Sequence, residues 1–462
     1  MDMRTDVVTV LPEALLFLGG MACLVGGSFT RRTQQWRMRC VAAAATTAAL
    51  IAAIVAWTDG SDSAFSGTFE ADTSTSAARV IVSTAILIVL AMAGGDARDH
   101  PRESETCSLI LFSGAGTLLL AGSTDLALLI VAFLLSSIPL YGLVGIIARP
   151  GSAEAALKTY LFGALFGIVL MLGAVLLYAV AGGTGYAVVQ TQLQDASQAV
   201  VAAGGVMVLV GLLFKAGGVP AHFWVPDATA GASVTAAAFL TTVPKIGAVI
   251  AMTRLVSALP GDTRWATVLG VFAVASMTLG NLAALAQTDV RRLLGWSTVS
   301  QVGYLLAAAA VIDRTALGTP ALLFFLAGYA LTNLAAFAVV AAEPHRRSLD
   351  DWAGTATARP WLVVALTITL LGLVGTPPTA VFVGKLATLS ATWDAGLSWL
   401  AIALALNTVA SLYYYLRWIR AALTATDSTA DTTRGPTWLA YATAASTLAL
   451  GLAAGPVLLT LT

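Results

Sequence analysis

The chain holds 20 arginines but only four lysines, and the lysines fall where arginine mostly does not. Lys158, Lys215, Lys245 and Lys385 each lie within or at the edge of a long apolar run. The arginines lie almost entirely in the polar gaps between runs. If any cation sufficed in an apolar setting, a chain this rich in arginine would use it there too. The relevant difference is acid–base chemistry: a buried lysine can give up its proton, and arginine effectively cannot. A charged lysine at mid-membrane also costs about 2.5–3.5 kcal/mol on insertion scales. Four lysines so placed point to proton handling.

Two of them adjoin helix breakers. One run reads from Lys215 through Gly217, Gly218, Pro220, His222, Trp224 and Pro226 to Asp227. The other reads from Gly375 through Pro377 and Pro378 to Gly384 and Lys385. Proline removes a backbone donor and clashes with the preceding turn. In lipid the freed backbone groups need protein or water partners, and paired discontinuous helices point to an ion pathway. A proline kink beside a snorkelling lysine would explain either break alone, but the pair less well. Glu154 precedes Lys158 by four residues, the spacing of a helical ion pair; such a pair could equally anchor a helix end at the membrane surface. His222 could relay protons at the break, or bond a freed carbonyl. Asp227, after Pro226, reads as a cap on the second half-helix.

The elements that must hold these residues are membrane spans. The composition is 58% hydrophobic and 10% charged, against about 25% charge in soluble domains. The formal net charge of zero gives no reason to expect nucleic acid. A crossing helix needs about 20 apolar residues. Fourteen runs qualify, roughly 11–29, 40–57, 78–95, 106–122, 124–147, 157–181, 198–219, 232–257, 264–286, 295–312, 318–342, 360–390, 396–421 and 436–460. With the amino terminus outside, fifteen arginines fall on inner loops. Five, Arg4, Arg79, Arg254, Arg264 and Arg314, fall on outer ones. The positive-inside rule therefore places both termini outside. No soluble domain fits anywhere; the longest gap, near 58–77, reads as Ser/Thr/Asp-rich loop. The first run is of full span length and holds Glu13, so it reads as a retained anchor. Cys23, Cys40 and Cys107 lack metal or redox spacing, and His100, His222 and His345 are scattered, so no metal site is expected.

The breaks fall in the seventh and twelfth runs, five spans apart. That spacing predicts two five-helix repeats, spans 4–8 and 9–13, inverted because five is odd. The expected fold is an all-α polytopic membrane protein of about 14 transmembrane helices. Its parts are helices 1–3 (1–105), a first repeat (106–257), a second repeat (258–421) and a last helix (422–462).

At these residues the chain resembles the antiporter-like subunits of respiratory complex I, over roughly residues 105–420. Phe214-Lys215 through Pro220, His222, Trp224 and Pro226 to Asp227 is similar to the family's seventh-helix motif, and Lys245 follows at the family's spacing. Gly280-Asn281 through Gln287, Arg291 and Arg292 to Ser297 resembles the connection from the ninth to the tenth helix. Gly375 to Lys385 resembles the twelfth helix. Tyr413-Tyr414-Tyr415-Leu416-Arg417, the opening Leu11-Pro12-Glu13 and lysine rather than glutamate at 385 favour the N-type branch. The resemblance implies roles. Lys215 is the seventh-helix proton carrier, Lys245 the connecting residue and Lys385 the exit-side carrier, with Lys158 and His222 as further candidates. It also implies a bacterial plasma-membrane complex with M-type and K-type neighbours. NADH, FMN, iron–sulfur clusters and quinone would lie in partner subunits; no cofactor or metal site is expected in this chain. Two departures stand out. The family's fifth-helix glutamate is replaced by Leu134, aligned on Pro139, which leaves Lys215 without an evident anionic partner. The tenth-helix histidine is replaced by Gln301, between Ser297 and Tyr304. An Mrp-type sodium or potassium/proton antiporter subunit and a non-pumping structural paralogue are the alternative readings.

Overall fold

The computed structural model describes residues 3–96, 102–147, 150–425 and 437–461. Arg98, His100, Arg149 and Arg434 fall outside them. The chain opens with α1 (Met3–Thr9), α2 (Leu11–Phe29) and α3 (Trp36–Asp59). An antiparallel hairpin follows, β1 (Asp62–Ala64) and β2 (Phe69–Ala71), with Ser63 opposite Glu70. It occupies the stretch that the sequence presents as loop. Then come α4 (Thr73–Asp96), α5 (Glu103–Gly122), α6 (Leu126–Gly145), α7 (Pro150–Ala181) and the short α8 (Tyr186–Gln192). The first break separates α9 (Gln198–Ala216) from α10 (Trp224–Gly231). Next are α11 (Val234–Ala258), α12 (Asp262–Leu285), α13 (Val290–Ala309), α14 (Gly318–Ala342) and α15 (Thr355–Ala358). The second break separates α16 (Pro360–Val374) from α17 (Ala380–Asp394), and α18 (Ser398–Leu423), α19 (Trp438–Leu452) and α20 (Ala454–Thr460) complete the chain.

Among the described residues, eleven helices are long and apolar enough to cross a membrane, or twelve if α19 and α20, bent by 72°, form one span. The sequence predicts fourteen, and the difference has local causes. The run at 360–390 is two helices of 15 residues each, α16 and α17, because the Gly-Thr-Pro-Pro segment interrupts it. α13 opens on Arg291 and Arg292 and carries Ser297, Thr298, Ser300 and Gln301, so it is not apolar enough by composition.

α11 lies at the centre: every residue in its apolar window is buried, against 22% for α3 and 33% for α7. A helix apolar all round is suited to such a place. Small residues let the helices close in. A Cβ on Gly247 of α11 would lie 2.2 Å from the Thr117 carbonyl of α5, and one on Gly116 would lie 2.3 Å from the Ser136 nitrogen of α6.

Two of the arginines read as outer-loop residues are held by ion pairs within the bundle instead. Arg79 is fully buried in α4, where Nε and Nη2 donate to Glu13 at 2.8 and 2.9 Å and Nη2 to the Thr9 carbonyl at 2.6 Å. A bidentate carboxylate and a carbonyl satisfy most of its donors, which makes burial tolerable. Arg254, near the end of α11, donates to Asp72 at 2.6 Å and Glu70 at 3.2 Å, and so fastens the hairpin over the bundle.

Candidate functional site

Each break is a helix stopped by a left-handed glycine. Gly217 (φ +85°) follows α9 and Gly375 (φ +93°) follows α16. Glycine adopts this conformation without the Cβ penalty. Gly217 and Gly218 donate back to the Leu213 carbonyl, and Gly375 and Thr376 to that of Leu371. The prolines beyond prevent the helices from resuming.

Lys215, in the last turn of α9, is 1% exposed. Its Nζ donates to the Ser136 carbonyl at 2.6 Å and the Ser137 hydroxyl at 3.2 Å. Both belong to α6, a continuous helix that carries Pro139 inside it. Ser113 also donates to the Ser136 carbonyl at 2.7 Å, and Thr117 shares a 2.9 Å bond with the Ser136 hydroxyl. The ammonium is thus received by neutral oxygens and hydroxyls. Leu134, at the position of the family's glutamate, is only half-buried.

Lys245 lies mid-way along α11, just after Pro244, and is fully buried. Its Nζ has no hydrogen-bond partner among the described residues and sits 4.7 Å from the Trp224 ring centre. That ring offers a cation–π surface and is itself fixed by a 2.9 Å bond from Nε1 to the Phe214 carbonyl. Lys245 Nζ also faces the first break, 3.6 Å from where a Cβ on Gly217 would stand.

Lys385, in α17, is 6% exposed and reaches back across the second break. Its Nζ donates to the Val374 carbonyl at 2.9 Å and the Leu373 carbonyl at 3.2 Å. These are the freed carbonyls at the C-terminus of α16, the negative end of its dipole. The Tyr304 ring centre lies 3.9 Å away. Gln301, one turn before Tyr304, donates Nε2 to the same Leu373 carbonyl at 2.8 Å.

Between Lys245 and Lys385 runs a buried polar seam that the sequence did not announce. One turn before Lys245, the Thr241 carbonyl accepts from the Tyr329 hydroxyl at 2.7 Å, and that hydroxyl reaches the Thr298 hydroxyl at 3.3 Å. Asn333 donates to the hydroxyls of Thr241 at 2.9 Å and Thr242 at 2.8 Å. Thr298 is followed three residues later on α13 by Gln301, and so by Leu373 and Lys385. The Asn333 Oδ1 and Gln301 Oε1 atoms are buried without a hydrogen-bond partner among the described residues. Threonine, tyrosine and asparagine in apolar helices were the available signal, but the same residues also simply back-bond within a helix.

The remaining candidates lie elsewhere. Lys158 is at the edge of the fold, with its side chain 42% exposed, bound to Glu154 at 2.7 Å and Asp227 at 3.0 Å. Asp227 is not the cap that its sequence suggests. α10 has no side-chain cap bond, and Asp227 instead pairs with Lys158 and, at 2.8 Å, with Arg292. Its partners are far away in sequence, where a local capping rule gives no view of them. His222 is buried in the break, 4.4 Å from Phe223 and 5.6 Å from Trp296 between ring centres, and its Nδ1 is unsatisfied among the described residues.

A helical membrane bundle with two lysine-bearing breaks and a polar seam leading from the central helix to the second of them defines an antiporter-like polytopic protein. Residues 123–411 match the transmembrane family described as NADH:quinone oxidoreductase/Mrp antiporter. The NADH-quinone oxidoreductase subunit N of Mycobacterium sp. (strain JLS) is 52% identical over 450 residues, covering 96% of each chain. Subunit N 1 of Streptomyces griseus is 47% identical over 464 residues, 99% of this chain and 98% of its own. Among solved structures, a chain of respiratory complex I from Thermus thermophilus superposes with a TM-score of 0.83 at 28% identity, covering 97% of this chain and 98% of that one. A chain of the Mrp complex from Dietzia sp. shares the fold, with a TM-score of 0.84 at 24% identity and coverage of 100% and 96%. The chain belongs to the NADH-quinone oxidoreductase subunit N family.

Proposed function

We propose that this chain is a proton-translocating membrane-arm subunit of an NADH-quinone oxidoreductase, moving protons through Lys215, Lys245 and Lys385. The observation that carries the reading is the set of three buried lysines, none with a carboxylate partner among the described residues, with a polar seam of hydroxyls, amides and freed carbonyls running from one turn before Lys245 to Lys385. Neutral partners hold an ammonium without trapping it as a carboxylate would, so a proton can pass on. Lys215 receives the proton at the first break, Lys245 connects and Lys385 releases it at the second. His222, beside the first break, and Lys158, at the surface, belong to the entry side. The chain supplies no redox chemistry; NADH, FMN, iron–sulfur clusters and quinone belong to partner subunits, with M-type and K-type chains as membrane neighbours. The matching left-handed glycines at the breaks support two inverted repeats, 106–257 and 258–421, between helices 1–3 (1–105) and a last helix (422–462). That arrangement fits fourteen crossings in a bacterial plasma membrane, both termini outside.

The test uses the intact complex in sealed membrane vesicles. Lys215→Ala and Lys385→Ala each lower the protons moved per NADH oxidised while the complex still assembles. Unchanged proton movement in either variant would falsify the reading. The shared fold of the Mrp chain favours a second reading, sodium or potassium/proton exchange; it predicts sodium-driven proton movement without NADH.

A further inference from the structure

Asp227 touches neither Lys245 nor Lys385 by any bond recorded among the described residues, yet it touches helices that serve both. Its Oδ2 accepts from Lys158 of α7 at 3.0 Å, and its Oδ1 faces Arg292 of α13 at 2.8 Å. Its own helix, α10, is eight residues long and is held from outside. A Cβ on Gly295 of α13 would lie 2.8 Å from Pro226, and one on Gly231 would lie 2.7 Å from the Gly151 carbonyl of α7. One turn before Asp227, Trp224 presents its ring to Lys245 at 4.7 Å. Beyond Arg292 on α13, Tyr304 lies under Lys385 at 3.9 Å and Gln301 shares the Leu373 carbonyl with it.

We infer that Asp227 is a positioning residue that couples the two lysine sites, by clamping the half-helix under Lys245 to the helix under Lys385. A shift of α10 would move Trp224 against Lys245, and the Arg292 contact would pass that shift to α13. The clamp is releasable: the side chains of Asp227, Lys158 and Arg292 are 23%, 42% and 42% exposed, so the chain's own packing does not seal the contacts. Lys158 can also leave Asp227 for Glu154, already 2.7 Å away, without losing a counter-charge. This inference rests on the proton-translocation reading.

The experiment compares Asp227→Asn, Asp227→Glu and Lys385→Ala in the intact complex, measuring subunit content, NADH-driven electron transfer, KM for quinone and protons moved per NADH. Asp227→Asn is expected to lower the proton ratio to the level of Lys385→Ala, with the KM unchanged, and Asp227→Glu to restore it. An unchanged ratio in Asp227→Asn overturns the inference, as does equal loss of assembly in the Asn and Glu variants, which marks a merely structural contact. Should only Asp227→Asn fail to assemble, Arg292→Gln decides: it removes the same contact from the other helix, a lowered ratio supports the clamp and an unchanged one overturns it. If Lys385→Ala itself leaves the ratio unchanged, the function reading fails instead.

Discussion

Lys215 and Lys385 meet the same problem, a buried ammonium without a carboxylate, with different oxygens. Lys385 uses carbonyls that its own broken helix sets free, whereas Lys215 borrows a carbonyl and a hydroxyl from α6. The lysines were legible in the sequence because their type and placement depart from the arginine habit of the chain. Their acceptors were not, since a carbonyl has no sequence signature and Ser136 and Ser137 look like small residues in an apolar helix. Alignment on Pro139 points to Leu134 as the place to restore an acid, but that side chain is half-buried and Ser137 is the one in contact. Ser137→Asp therefore gives Lys215 a counter-charge directly, and a buried ion pair holds a proton that hydroxyls would release. We expect it to slow proton movement more than Leu134→Glu does, measured as NADH-driven acidification in vesicles. Equal effects, or none from Ser137→Asp, would show that Lys215 is not received there.

At the scale of elements, the breaks were predictable because glycine and proline rules are local. The interruptions at Gly217 and Gly375 follow from those residues alone, whereas the return of Lys385 across its break and the separation of 360–390 into two helices of 15 residues appear only in the structure. The hairpin at 62–71 was missed because its strands have three residues each and it lies within the Ser/Thr/Asp-rich stretch 58–77, which reads as loop. Arg79 was missed for another reason: its partner Glu13 is in a different helix, and no periodicity reports a pairing between helices. That pair ties α2 to α4, and its loss is measurable. Leaving a buried charge unpaired costs about 3–5 kcal/mol, so Arg79→Met should lower the thermal stability of the detergent-solubilised chain markedly. Adding Glu13→Leu should recover much of the loss. Equal stability of Arg79→Met and the unaltered chain would mean that the pair is not buried as described.

For the whole molecule, the polar seam matters because it leads from beside Lys245 on α11, whose apolar window is wholly buried, to Lys385 at the second break. The membrane class and the helical fold were legible from composition and run length. The seam was not, because it emerges only when α11, α13, α14 and α17 pack and bring together single polar residues scattered over more than 140 positions, from Thr241 to Lys385. If protons cross one continuous path, its members act as a unit and their losses do not add. The measurement is the number of protons moved per NADH oxidised, in vesicles carrying Lys215→Ala, Lys385→Ala or both. The account predicts that the double variant is no worse than the more damaging single one, because either break in the path stops the same protons. Losses that add, with each lysine contributing separately, would contradict a single path and with it the central claim.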